Sequence, residues 1–153
     1  MEFSEVVQQQ YQPYLSRYLL EGWKTDRHYI KTLELQPNQL RATMDILDSY
    51  YPPETYYFST VHAIPILYQF VIIYACWENQ FPEKTGDVYL RSLTIDTPRM
   101  IQTQTNIVFD LQKVSLKKTK TWLFYVMNFG IGDRAFTGTI KYAVPQPKPP
   151  ASP

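Results

Sequence analysis

The sequence is poor in the residues that most catalytic and metal-binding signatures need. Its single cysteine, Cys76, excludes an intramolecular disulfide and any multi-cysteine metal site. Two histidines, with no acidic cluster beside them in the chain, argue against zinc; no cofactor is implied. The five glycines form no phosphate-binding loop, and there is no G-x-S-x-G elbow. A formal net charge of +1 supplies no strong field toward nucleic acid or anionic lipid. The opening stretch MEFSEVVQQQ has neither the basic nor the apolar segment of a signal peptide. The longest apolar run, Ile64 to Trp77, is shorter than a membrane span and contains Gln69. A cytoplasmic protein is the expectation.

What is abundant is tyrosine. Thirteen of them carry most of a 16% aromatic share. Tyrosine has an apolar body and a polar tip, which suits an amphipathic pocket or an interface. A tyrosine-rich sheet would give the same count. With 153 residues, 44% of them hydrophobic and 19% charged, the chain has the length and composition of one globular domain. We place that domain at residues 1–144. The tail PQPKPPASP, residues 145–153, has no apolar content to pack and reads as disordered.

Apolar residues at helical spacing run from Val6 and Val7 through Tyr11, Tyr14 and Leu15 to Tyr18 and Leu19. Pro13 predicts a break among them, and Gly22 a stop. KTLELQPNQLRATMDIL alternates on both sides of Pro37-Asn38, so a hairpin is expected there. The prolines of DSYYPPE interrupt it. From Thr60 to about Glu78 the residues are apolar nearly all round, as in a helix enclosed on most sides. Ser59 or Thr60 would cap that helix, and Pro65 would fall near its first turn. Four strands follow: Val88 to Asp96, Met100 to Leu116, Thr121 to Phe129, and a last one opening at Arg134. KKTK and GIGD are the expected turns, and the strands read as an antiparallel meander.

One long apolar helix followed by long antiparallel strands points to an α+β hot-dog fold, a bent sheet around a central helix. Trp122, Phe124 and Val126 alternate with Leu123, Tyr125 and Met127, so both sheet faces carry apolar groups. A second cover is needed, which predicts a homo-oligomer, a dimer or higher.

Chemistry concentrates where the long helix begins. Its first turn has free N–H groups and the positive end of the dipole, suited to polarising a carbonyl. Ser59, Thr60 and His62 stand there, and Tyr50, Tyr51, Tyr56 and Tyr57 precede them. His62 could act as a general base or acid. From the residues alone the plainer reading is preferred, that Ser59 or Thr60 merely caps the helix and His62 is a satisfied, partly buried histidine. Gln69 follows His62 by seven residues and so shares its helix face. It would contact ligand or satisfy backbone across a dimer interface. Lys117 to Lys120 would meet a phosphopantetheine or a carrier-protein helix, or else form a solvated turn.

The stretch YYFSTVHAIPILYQFVIIYA resembles the central-helix motif of FcoT-like thioesterases, which reads approximately H-F-N-A-V-E-F-N-I-C-Y-N-Q. Phe58, Val61 and Gln69 match it without a gap. YQPYLSRYL is similar to that family's Y-K-P…R-Y-L segment. Tyr11 and Pro13 match, as do Arg17, Tyr18 and Leu19 after a one-residue offset. The resemblance implies a hot-dog enzyme acting on fatty-acyl or polyketide-type thioesters of CoA or acyl carrier protein. It places the family's tyrosine before the helix on Tyr51 and its N-terminal tyrosine on Tyr18, or less closely on Tyr11. Ser59 stands in the asparagine position and His62 in the acidic position.

The expected reaction is therefore hydrolysis, with His62, Ser59 and Tyr51 catalytic. Tyr18, Tyr57, Thr60 and Gln69 would bind substrate. Dehydration or addition at an enoyl thioester is the alternative chemistry, and a non-catalytic carrier-binding scaffold is the alternative to an enzyme.

Overall fold

The computed structural model describes residues 4–149. The expected N-terminal helix is two short pieces, α1 (Glu5–Tyr11) and α2 (Arg17–Leu20), with a 3-10 turn over Gln12–Tyr14 between them. Pro13 sits in that turn, where it cannot donate the N–H that a continuous helix requires. Among the described side chains, the expected buried face is reduced to one buried residue. Val6 and Tyr14 are exposed, and Tyr18 is the buried member. The side chains of Val7, Tyr11 and Arg17 lie outside the described residues, as do residues 150–153 of the tail.

The hairpin is β1 (Arg27–Gln36) and β2 (Gln39–Asp48), starting earlier than the alternation suggested. Asn38 closes it at φ 68°, a left-handed conformation that asparagine tolerates. Leu40, Ala42, Met44 and Ile46 point inward from β2, each 0–4% exposed. β1 is almost wholly exposed along its length, as befits a strand at the sheet's edge.

The helix α3 (Thr60–Glu78) is followed by β3 (Tyr89–Asp96), β4 (Ile107–Lys118), β5 (Trp122–Ile131) and β6 (Phe136–Pro145). All six strands form one antiparallel sheet in the order β1-β2-β4-β5-β6-β3. The meander is real only for β4 to β6. β3 does not precede β4 in space; it pairs with β6 at the far edge. Residues 100–106 are irregular, with Asn106 at φ 55° directly before β4. The β5–β6 turn is also displaced. It uses Gly132, Asp133 and Arg134, all at positive φ, while Gly130 remains inside β5. Gly138 is required where β3 meets β6, because a Cβ there would lie 1.9 Å from the Thr94 carbonyl oxygen.

One sheet face covers α3. Phe70, Val71, Tyr74 and Ala75 of the helix meet Phe109, Leu111, Leu123, Tyr125 and Met127 in one buried cluster. The other face of β5 keeps Trp122, Phe124 and Val126 half-buried. This is the hot-dog arrangement. The helix is not enclosed on all sides, however. Val61, Pro65, Tyr68, Gln69, Ile72 and Cys76 form a half-open stripe along it. Its far end is tied down by Glu78, which accepts hydrogen bonds from Tyr125 (2.7 Å) and Tyr74 (3.1 Å) and pairs with Lys113. Pro145 ends β6 and the Gln146 N–H donates to the Thr121 carbonyl at 2.9 Å, so the tail's first residues are part of the sheet's border.

Candidate active site

Ser59 is the N-cap of α3, with the extended φ and ψ of −116° and 172° that this position needs. Residue 62 is then the third of the helix, where glutamate or glutamine usually completes a capping box. Here the imidazole of His62 does so. Its Nδ1 accepts the Ser59 backbone N–H at 2.9 Å and lies 3.0 Å from Ser59 Oγ. A nitrogen that accepts an N–H carries no proton, so the proton of neutral His62 is on Nε2. Nε2 faces Asp26 Oδ2 at 2.5 Å, and donates to it.

Asp26 is the residue that reading the sequence missed. It ends the turn Gly22–Thr25 and directly precedes β1. Its carboxylate is fully buried and accepts three hydrogen bonds. The Tyr50 N–H reaches Oδ1 at 2.7 Å, and the Tyr18 hydroxyl and His62 both reach Oδ2, the hydroxyl at 2.9 Å. No local pattern announces this, because 36 residues separate Asp26 from His62. The available signal was stoichiometric. A buried histidine needs partners for both ring nitrogens, and Asp26 is one of the few acids between the N-terminal helices and β1.

Aromatic rings close this cluster. Phe58 stacks on His62 with centroids 5.2 Å apart, and Tyr18 and Tyr56 lie at 5.9 and 6.0 Å. Burial first, then the hydrogen bond and charge of Asp26, push the Tyr18 hydroxyl far above its ordinary value. It stays protonated and acts as a donor. Tyr56 is pushed up likewise, by burial and by Asp26, and its buried hydroxyl has no partner among the described residues. Burial first, and then repulsion from the His62 ring whenever that ring is protonated, lower the pKa of His28, whose ring stands edge-on to His62 at 5.8 Å.

A pocket of about 520 Å³ opens over this cluster. Ser59, Thr60 and Val61 form its floor, Tyr18, Tyr51 and Tyr57 one wall, and Met100 and Phe136 part of the other. Tyr51 and Tyr57 stack at 6.0 Å, and Tyr51 also lies 5.1 Å from Tyr18. Among the described residues, Arg99 is the one charged residue in the lining. The site thus gathers Ser59, Thr60, Tyr18, Tyr51 and Tyr57. His62 sits one layer behind, 3% exposed and outside the lining. Gln69 is not gathered. It shares a helix face with His62 as expected, but the segments that bury His62 end before reaching it, and Gln69 is exposed on the open stripe. Lys117 to Lys120 turn at the end of β4, and Gln146 rather than a site residue packs there. Cys76 is half-buried, and burial pushes its thiol up, away from nucleophilic character.

No protein-family model matches the chain, and no curated protein matches it. Solved structures do. A thioesterase from Haemophilus influenzae matches with a TM-score of 0.54 at 8% identity, over 99% of this chain and 96% of that one. A mutant thioesterase from Staphylococcus aureus gives 0.55 at 10% identity, over 78% and 93%. A Streptococcus mutans protein bound to acetyl-CoA gives 0.53 at 10% identity, over 78% and 90%. At these identities the likeness establishes the hot-dog fold.

Proposed function

We propose that the protein is an enzyme that hydrolyses acyl thioesters of CoA or of an acyl carrier protein. The observation that carries this reading is the placement of Ser59 in the floor of the pocket with His62 and buried Asp26 lined up behind it. The thioester carbonyl would rest against the first turn of α3, where the N–H groups of Thr60 and Val61 have no acceptor within the helix. His62 is the base; with the ring proton on Nε2, the lone pair is on Nδ1, where in the resting site it accepts the Ser59 N–H. Tyr51 and Tyr57 flank the acyl group, and Tyr18 holds Asp26 in place.

The acyl tail continues along the apolar stripe of α3. In one chain that stripe is half-open, so a second copy supplies the missing wall, and the protein works as a homodimer. The unpaired edge of β3 supports the same assembly. Arg99 at the pocket rim suits a CoA phosphate. Two kinds of neighbour agree with this reading, the thioesterases and the structure that holds acetyl-CoA. The FcoT-like resemblance around Phe58, Val61 and Gln69 favours a fatty-acyl or polyketide-type substrate.

The test is an assay of the wild type and His62→Ala against acyl-CoA and acyl-carrier substrates of graded length, with products read by mass spectrometry. Free acid from the wild type and none from the variant is the expected result. Normal turnover by the variant would sink the role of His62. A product still on its carrier, as an enoyl or an adduct, would replace hydrolysis by chemistry beside the thioester. Tight carrier binding without turnover would replace an enzyme by a scaffold.

A further inference from the structure

We infer that Ser59 is a covalent nucleophile, acylated during turnover, and that Asp26 is the positioning residue that makes this possible. The inference rests on the thioesterase reading for its substrate but on geometry for its mechanism.

Water has no direct path to His62. The side chain is 3% exposed, and both ring nitrogens are occupied. Nε2 is the donor nitrogen, held by Asp26 at 2.5 Å with the Tyr18 hydroxyl 2.9 Å away. It has no lone pair to offer. Nδ1 is the basic nitrogen, and it faces only Ser59. Of the two Ser59 groups there, the N–H is a peptide donor, and the hydroxyl at 3.0 Å is the side-chain group of a residue that lines the pocket. In the resting site, the proton that His62 takes from the pocket therefore comes from Ser59 Oγ. A hydroxyl placed so, with an imidazole behind it and a buried carboxylate fixing that imidazole, has the parts of an activated serine. The ring is used in the opposite sense to the familiar arrangement, with Nδ1 toward the serine and Nε2 toward the acid.

The step balances within the site. Ser59 Oγ adds to the thioester carbon as its proton moves to His62 Nδ1. The new oxyanion lies over the N–H groups of Thr60 and Val61. The C–S bond then breaks, the thiolate takes the proton from Nδ1, and the acyl group remains as an ester on Ser59. Once Oγ is drawn onto the acyl carbon it no longer fills the space before Nδ1, and a water taking that place loses its proton to Nδ1 and adds to the ester. The C–O bond to Ser59 breaks, Oγ recovers the proton, and the acid leaves. The proton on Nδ1 displaces the Ser59 N–H from that lone pair, and Asp26 offsets the charge that forms on the ring.

Two probes test the nucleophile. One is a fluorophosphonate, which labels activated serines whatever the natural substrate. The other is an acyl-CoA quenched in acid and read by intact mass. The variants are chosen to keep the fold. His62→Gln retains a capping-box side chain, and Ser59→Asn retains an N-cap. We expect the label and the acyl mass on the Ser59 peptide of the wild type. Both should be absent in Ser59→Asn, and labelling should be slowed at least about 10²-fold in His62→Gln. Wild-type turnover with a fully active, unlabelled Ser59→Asn would overturn the nucleophile and leave the thioesterase reading standing. Labelling of Ser59 with no thioester turned over would uphold the nucleophile and overturn the thioesterase. An absence of both label and adduct in a turning-over wild type would also overturn it.

Discussion

Asp26 Oδ2 lies 2.5 Å from His62 Nε2, and both side chains are buried, 0% and 3% exposed. A buried carboxylate is stabilised only by partners, and this one has three donors around it. The pair settles the tautomer of His62, and the tautomer decides which nitrogen faces Ser59.

Asp26→Asn tests that logic. An amide can present an N–H to Nε2, which moves the ring proton to Nδ1 and turns it against the Ser59 N–H. We expect kcat to fall by about 10²–10⁴-fold with KM little changed. The fold should weaken by about 1–3 kcal/mol, because a buried donor loses its acceptor. Steady-state kinetics and thermal unfolding read the two effects. Unchanged kcat in a variant of lowered stability would make Asp26 purely structural.

Much of this arrangement was readable beforehand, and the part that was not has a clear cause. α3 and its cap were open to prediction because helical periodicity and capping are local. So were the inward residues of β2 and β5, since alternation is local too. The position of β3 was hidden, because nothing in residues 89–96 records that their partner is β6. Asp26 was hidden for the same reason. Its meaning depends on a contact across 36 residues. Gln69 was misjudged in its surroundings: helical phase places it correctly beside His62, but phase does not say where the covering segment ends.

Arg99 should distinguish CoA from a minimal thioester. It is exposed at the pocket rim and holds the Asp133 carbonyl at 2.6 Å, so its charge is available but not free of structure. Arg99→Gln should raise KM for acyl-CoA by about 2- to 5-fold, as expected for an exposed ionic contact of up to about 1 kcal/mol. KM for the same acyl group on N-acetylcysteamine should stay unchanged. Equal effects on both substrates would remove Arg99 from CoA recognition.

Glu78 gives a pH prediction at the other end of α3. Burial alone would raise its carboxyl, but hydrogen bonds from Lys113, Tyr125 and Tyr74 outweigh this and lower it below its ordinary 4.5. In that window the unfolded chain binds more protons than the folded one, so stability rises with pH. The contribution is complete above about 4.5 and is lost as pH falls through the lower folded value. Glu78→Gln should cost about 1–3 kcal/mol at neutral pH. Chemical denaturation should show the gap to wild type closing as the medium is acidified below 4.5. A gap independent of pH would mean that packing, not charge, holds the helix end.

Ile64 tests the assembly away from the Ser59–His62–Asp26 cluster. It is 39% exposed in the single chain and lies on α3 two residues beyond His62. Arginine at such a position is harmless to a monomer, since surface substitutions usually fall within about 0.5 kcal/mol. Buried between two copies, it would place an unpaired charge in an apolar interface, which costs several kcal/mol. Ile64→Arg should therefore sediment as a monomer of unchanged helical content where the wild type sediments as a dimer. Because Ile64 lies one turn from Val61 and Tyr68 of the stripe proposed as the acyl-channel wall, activity on long acyl chains should fall more than activity on acetyl-CoA. A wild type that is monomeric at micromolar concentration, and fully active on long chains, would require the channel to be complete in one subunit.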